Sequence, residues 1–191
     1  MRSIASIVTA PFATLRQRLL GCLRDERGMS AVEFALLLPL LITLYLGGVE
    51  VSQGITIDRK VTLVARTVAD LSSQVASISN SDMTNILAAS TSVLAPYKTT
   101  NLKVTVTQVT IDGNGAAKVD WSDTKNGSAR AVGSTVTLPT ALNVNNSSLI
   151  WSEVSYDYTP AVGYVITGTM TLKDQIYMRP RISDSVSRPT S

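Results

Sequence analysis

Glu33 is the side chain whose type and position most call for a chemical reading. It lies in the run AVEFALLLPLLITLYLGGV, residues 31–49, which holds no other charge. A carboxylate near one end of a membrane helix costs on the order of 2–3 kcal/mol unless it meets a partner or reaches the interface. From the residue alone two readings stay open: Glu33 stays hydrated at the interface, or it pairs with a cation. Five positions upstream stands Gly28, in the string GMSAVEF of residues 28–34 that also holds Met29 and Phe34.

The rest of the sequence offers little to a catalyst. There is no histidine, which removes the commonest general base, the commonest metal ligand and every Ser/His/Asp or Cys/His arrangement. The single cysteine, Cys22, has no partner for an intramolecular disulfide. Leu19, Leu20, Gly21 and Cys22 approach a lipobox, but Arg16 and Arg18 fall where the apolar core of a lipoprotein signal belongs. Asp112, Asp120, Asp123, Glu153, Asp157 and Asp174 are carboxylates without histidine partners, placed mostly at turns or on polar strand faces, where structural roles are the default. Asp112, Asn114 and Asp120 invite a calcium loop, yet the twelve-residue ligand pattern with its closing glutamate is missing. Trp121, Trp151, Tyr156, Tyr158, Tyr164 and Tyr177 suit core and cross-strand packing better than a ligand platform. The expectation is no enzyme, no catalytic residue, no metal, no cofactor and no small-molecule substrate.

The elements that would position Glu33 follow from length and charge. Nineteen apolar residues rise about 28 Å as a helix, close to a bilayer's hydrocarbon thickness, so residues 29–50 are expected to cross a membrane, with Ala31, Pro39, Gly47 and Gly48 in the span. Residues 1–28 carry Arg2, Arg16, Arg18, Arg24 and Arg27 against Asp25 and Glu26, and thus the whole net charge of +3; the remainder balances at 12 basic and 12 acidic. That asymmetry sets the N-terminus in the cytoplasm and the C-terminal part outside. It also explains the basic balance by topology, so no nucleic-acid partner is expected. The apolar run starts too late for an ordinary secretory signal, and no A-x-A site follows it.

The string around Gly28 resembles a type IV prepilin processing site, where a prepilin peptidase cuts after a glycine and leaves a glutamate as the fifth mature residue, followed by an aromatic. The wider stretch RDERGMSAVEFALLLPLLITLYLGGVEVSQGITIDRKV looks like the N-terminal domain of TadE/TadG-like pilus assembly proteins, closely over about residues 24–75. Segments 154–160, VSYDYTP, and 176–181, IYMRPR, are similar to the C-terminal strands of that family. The chain is longer than the major pilin of such systems and shorter than the largest TadG-type members. The resemblance implies a minor pilin or pseudopilin of a tight-adherence (Flp-type) pilus, in the bacterial inner membrane. Its implied partners are the membrane, the prepilin peptidase, other pilins and the assembly platform. A second reading, from another class, is a signal-anchored periplasmic interaction domain that keeps residues 1–28.

Beyond the membrane, Ile57, Val61, Val64, Val68, Leu71, Val75 and Ile78 recur at spacings of four and three, a heptad stripe. It predicts one helix from about residue 30 to 78, whose stripe packs on neighbouring subunits or docks the chain's own sheet. Asn80 and Ser81 then break the run, and Met83, Ile86, Leu87, Ser90, Val93 and Leu94 give a second helix that ends by Pro96. Leu102, Val104 and Val106 alternate with polar residues, Asp112-Gly113-Asn114-Gly115 is a turn, and Ala117, Val119 and Trp121 alternate again, predicting a hairpin. Residues 122–147 are expected mostly as loop, followed by a strand through Ile150, Ser152, Val154, Tyr156 and Tyr158 and a last one within 167–178. The fold class is α+β and pilin-like: a leader (1–28), a membrane segment (29–50), a periplasmic helical region (51–97), an antiparallel β-domain (98–182) and a polar tail (183–191).

Overall fold

The computed structural model describes residues 27–160, 163 and 167–189. Helix α1 (Arg27–Ser73) is 47 residues long and is divided between two compact units, Met1–Gly47 and Gly48–Ser191. In the first unit the described residues are helical and apolar on every side: Val32, Phe34, Leu36, Leu37, Leu40, Leu41 and Leu44 are all exposed. A helix that is apolar all round has no soluble face. By length and composition this segment can cross a membrane. Pro39 lies inside it and removes the N–H that would reach Ala35, while Thr43 Oγ1 donates to the Pro39 carbonyl at 2.8 Å.

In the second unit α1 becomes one-sided. Gly54, Ile57, Val61, Val64, Ala65, Val68 and Ala69 are buried at helical spacing, each full-sized aliphatic contributing about 1.5–3 kcal/mol by leaving water. The helix ends at Ser73, five residues short of the expected end. The backbone past that point is bonded elsewhere: the Arg181 N–H donates to the Ser73 carbonyl, and Ile78 and Ser187 exchange bonds through Ile78 N–H to Ser187 O and Ser187 N–H to Ala76 O. Asn80 and Ser81 therefore do not break a helix but begin one. Helix α2 (Asn80–Ser92) is capped by Ser79, whose hydroxyl accepts from the Asp82 N–H while the Asp82 carboxylate accepts from the Ser79 N–H, satisfying two orphan donors reciprocally. At its other end Lys60 Nζ donates to the carbonyls of Val93 and Ala95 at 3.0 and 2.8 Å, a cation where the helix dipole favours one.

Strands β1 (Leu102–Ile111), β2 (Ala117–Lys125), β3 (Ser147–Tyr158) and β4 (Met170–Met178) form one antiparallel sheet in the order β2-β1-β3-β4. The architecture is α+β, as expected: a long apolar N-terminal helix, a short second helix and a four-stranded antiparallel sheet. The main core lies between one sheet face and the helices, where Leu102, Val104, Val106, Trp121, Ile150, Val154, Tyr156 and Tyr158 meet Ile57, Val61, Val64, Val68, Met83 and Leu87. The helical region after residue 48 and the β-domain share one core and one unit.

Two features depart from the alternation. The β1–β2 register shifts between Gln108 and Val109, so that Gln108 pairs with Trp121 and Val109 with Val119. Ala117 therefore joins a second, smaller cluster with Val109, Ile111, Leu149 and Trp151, whereas Trp121 stays in the main core. Val136, Leu138 and Leu142 of the long β2–β3 connection cover that second cluster. The polar segment from Ser183 also packs on this unit. Val186 is buried in the main core, its N–H donating to Gln108 Oε1 and its carbonyl accepting from Trp121 Nε1, both at 2.7 Å. Arg188 pairs with both oxygens of Asp123.

Candidate processing and membrane site

The N-terminal half of α1 carries Gly28, Met29, Glu33 and Phe34 on exposed backbone, Met29 at 63 % and Phe34 at 58 % of full exposure. A Cβ built on Gly28 meets nothing within 4 Å. Glycine inside a helix costs roughly 0.5–1 kcal/mol relative to alanine, so this glycine is neither required by close packing nor favoured by propensity. Met29 and Glu33 are four residues apart in one helix and therefore neighbours on one face, about 5–6 Å between Cβ atoms. Ala31 and Gly48 are exposed, Pro39 sits mid-helix and Gly47 is buried. Cys22 and the leader up to residue 26 lie outside the described residues, as does Tyr164.

The heptad stripe is partitioned by the helix end. Ile57, Val61, Val64 and Val68 are at most 2 % exposed and face the sheet across the core. Leu71 is partly buried near the end of α1, while Val75 and Ile78 lie past it, Val75 half-buried against the core and Ile78 fully inside it. The docking partner of this stripe is the chain's own sheet and α2.

The carboxylates singled out from sequence are engaged in structure. Asp112 accepts from the N–H groups of Asn114 and Ala116, which hold it below its ordinary pKa of 3.8, the Ala116 bond foremost. Asp120 accepts from Gln108 Nε2 and from the Thr110 hydroxyl. Glu153 takes both arms of Arg130, whose guanidinium lies 3.8 Å over the Trp151 ring, itself stacked on Tyr177 at 5.3 Å. Asp157 accepts from Thr171 and Lys103, and these, in that order, lower its pKa. Asp174 accepts from the Gln175 N–H. Among the described residues no group of three or more His, Cys, Asp or Glu gathers in one place. Trp121, Tyr156 and Tyr158 are core residues and Trp151 belongs to the second cluster.

Sequence reasoning passed over three polar residues. Glu50, where the apolar run ends, is 3 % exposed, and its carbonyl accepts from the Tyr158 hydroxyl at 3.1 Å; burial first and then the Glu50 charge push the Tyr158 phenol up. Gln108 is 2 % exposed and joins β1, β2 and the C-terminal segment. Lys60 closes the end of α2. Of these only Gln108 had a signal, since it continues the inward phase of Leu102, Val104 and Val106.

No curated protein and no solved structure matches the chain. Residues 28–70, which run from the exposed glycine through the apolar segment into the buried stripe, match the family of TadE-like protein.

Proposed function

We propose that the chain is a minor pilin or pseudopilin that acts in assembly of a Flp-type (type IVb) pilus for surface adhesion. It sits in the bacterial inner membrane with its N-terminus cytoplasmic and the unit after residue 48 on the periplasmic side or in the pilus. The TadE-like match over residues 28–70 supports the pilus setting. The observation that carries the reading is Gly28: exposed, packed against nothing, and followed at Met29 and Glu33 by two residues one helical turn apart.

The mechanism is processing followed by lateral assembly. A prepilin peptidase hydrolyses the bond between Gly28 and Met29, removing the basic leader. The new Met29 ammonium then stands one turn before Glu33, and the pair forms within a helix or between neighbouring ones. An acid neutralised this way no longer opposes burial in lipid, and a polar pair in an apolar interface fixes register.

The test is the N-terminal sequence and intact mass of the protein taken from native membranes. A chain beginning at Met29 is expected, with Gly28→Ala blocking the cut and Glu33→Ala inserting normally but impairing pilus assembly. A chain beginning at Met1 together with normal piliation in both variants overturns the proposal and leaves a signal-anchored periplasmic domain.

A further inference from the structure

The sheet has two edge strands, β2 and β4, and the chain treats them differently. Along β2 its own connection adds a stretch of ladder: the Val119 N–H donates to the Ser134 carbonyl, the Gly133 N–H to the Val119 carbonyl and the Val136 N–H to the Ala117 carbonyl, while Lys118 bridges Thr135. Among the described residues, no main-chain group outside β3 bonds to β4. None of its nine residues is buried, and its pairing with β3 runs from Met170 to Met178 without a register shift. A regular, open edge is a template for a further strand.

Gln175 shows which main-chain groups of β4 face outward. Its N–H donates to the carboxylate of the preceding residue, Asp174, at 2.7 Å, and is therefore turned away from β3. Bonding direction alternates along an antiparallel strand, so Thr171, Lys173, Gln175 and Tyr177 present their N–H and C=O groups to the open side.

We infer that β4 pairs antiparallel with β4 of a second copy of this chain, about a two-fold axis through Gln175, joining two four-stranded sheets edge to edge. Charge selects both the occupant and the register. About Gln175, Lys173 falls opposite Tyr177 of the second copy, Leu172 opposite Met178, Asp174 opposite Ile176 and Thr171 opposite Arg179, so no like charges meet. An axis one residue earlier sets Asp174 against Asp174, and one residue later sets Lys173 against Arg179; both are destabilising. In the Gln175 register the outward-facing residues meet each other, each pair exchanging two main-chain bonds. The Lys173 ammonium then meets the ring of Tyr177, which is already stacked on Trp151 at 5.3 Å. The inference concerns residues after 48 alone and stands apart from processing at Gly28.

The experiment uses the full chain in detergent with Cys22→Ser and one new cysteine at a time, Gln175→Cys, Lys173→Cys or Val132→Cys. Two copies of position 175 would lie about 5.5 Å apart between Cα atoms, within disulfide reach. Two copies of position 173 would be four residues out of step, about 13 Å or more. Val132, 72 % exposed beside the covered β2 edge, reports random collision. Under mild oxidation the expected result is a linked dimer of Gln175→Cys forming about tenfold faster than of the other two. A mixture of Thr171→Cys and Arg179→Cys chains should link as well. Adding Gln175→Pro to both should abolish that linking with the thermal melt retained, since proline lacks the outward N–H and leaves the β3 ladder intact. Equal rates at positions 132, 173 and 175, or no linking at 175, overturn the inference. Linking of the mixture that survives Gln175→Pro overturns it as well.

Discussion

Gln108→Leu removes one amide from the middle of the sheet, and the structure fixes what that change must do. The side chain is 2 % exposed and has two partners, the Val186 N–H at 2.7 Å and Asp120 Oδ2 at 3.1 Å. Leucine has similar bulk, so the loss is polar: the Val186 N–H is left buried with no acceptor. An orphaned buried donor costs about 1–3 kcal/mol, and Asp120 keeps its Thr110 donor, so its share is small. With a urea slope of about 1–3 kcal/mol per molar, the midpoint falls by roughly 1 M. Trp121→Phe attacks the same strap from its other side by removing the donor to the Val186 carbonyl, at a similar cost. The double variant costs clearly less than the sum, because a strap already released has nothing further to lose. Circular dichroism of the full chain in detergent gives the midpoints, and amide exchange at Val186 and Ser187 reports the strap itself. Unchanged exchange at those amides in Gln108→Leu, or strict additivity of the two changes, refutes the reasoning.

Val64→Ala opens a void under the sheet and should cost about 2–3 kcal/mol, whereas Leu63→Ala, 48 % exposed one position earlier, should stay within about 0.5 kcal/mol; thermal melts of the pair decide which side of α1 is core. Asp82, Asp112 and Asp157 all have pKa values held below 3.8 in the fold, Asp82 chiefly by the Ser79 hydroxyl. A lowered folded value stabilises fully above the unfolded pKa and is lost as pH falls through the folded one. Stability should therefore fall from about pH 4 downward, and Asp82→Asn should flatten part of that acid slope in urea midpoints taken across the range. Ser79→Ala removes the other half of the capping box and should lower stability by about 1 kcal/mol at neutral pH, read from the same midpoints.

What the sequence disclosed and what it hid divide by how local the cause is. The apolar span, the α2 helix and the β1–β2 hairpin rest on periodicity within about a dozen residues, and each is present. The bulge is invisible in that window. Ala117, Val119 and Trp121 alternate in the sequence, but Asp120 is the extra residue of the register shift and lies within reach of Gln108 and Thr110 together. Val136, Leu138 and Leu142 look like strays in a polar loop until Trp151 and Tyr177 give them a surface to cover. Val186, the one aliphatic residue between Ser183 and Arg188, has no periodicity at all; only Gln108 and Trp121, distant in the chain, explain its burial. The Gly28 to Glu33 spacing is of the opposite kind, a short linear string read from the sequence without the fold.

The burial of the heptad stripe constrains how a subunit of the proposed kind would meet its neighbours. Ile57, Val61, Val64 and Val68 are at most 2 % exposed, and a residue with no surface left cannot also pack on another chain without unfolding its own core. Withdrawing four such side chains from the sheet would cost about 6–12 kcal/mol, which is comparable to the whole stability of a domain this size. The proposed lateral association would therefore use what folding leaves over: the all-round apolar helix of residues 28–46, and on the outer side of α1 the exposed Val51, Ile55 and Leu63. In lipid the first of these gains nothing from the hydrophobic effect, so its association must come from packing and from polar pairs. Glu33 is the one charge of residues 28–46, and under the proposed function it is expected to supply such a pair with the Met29 amine.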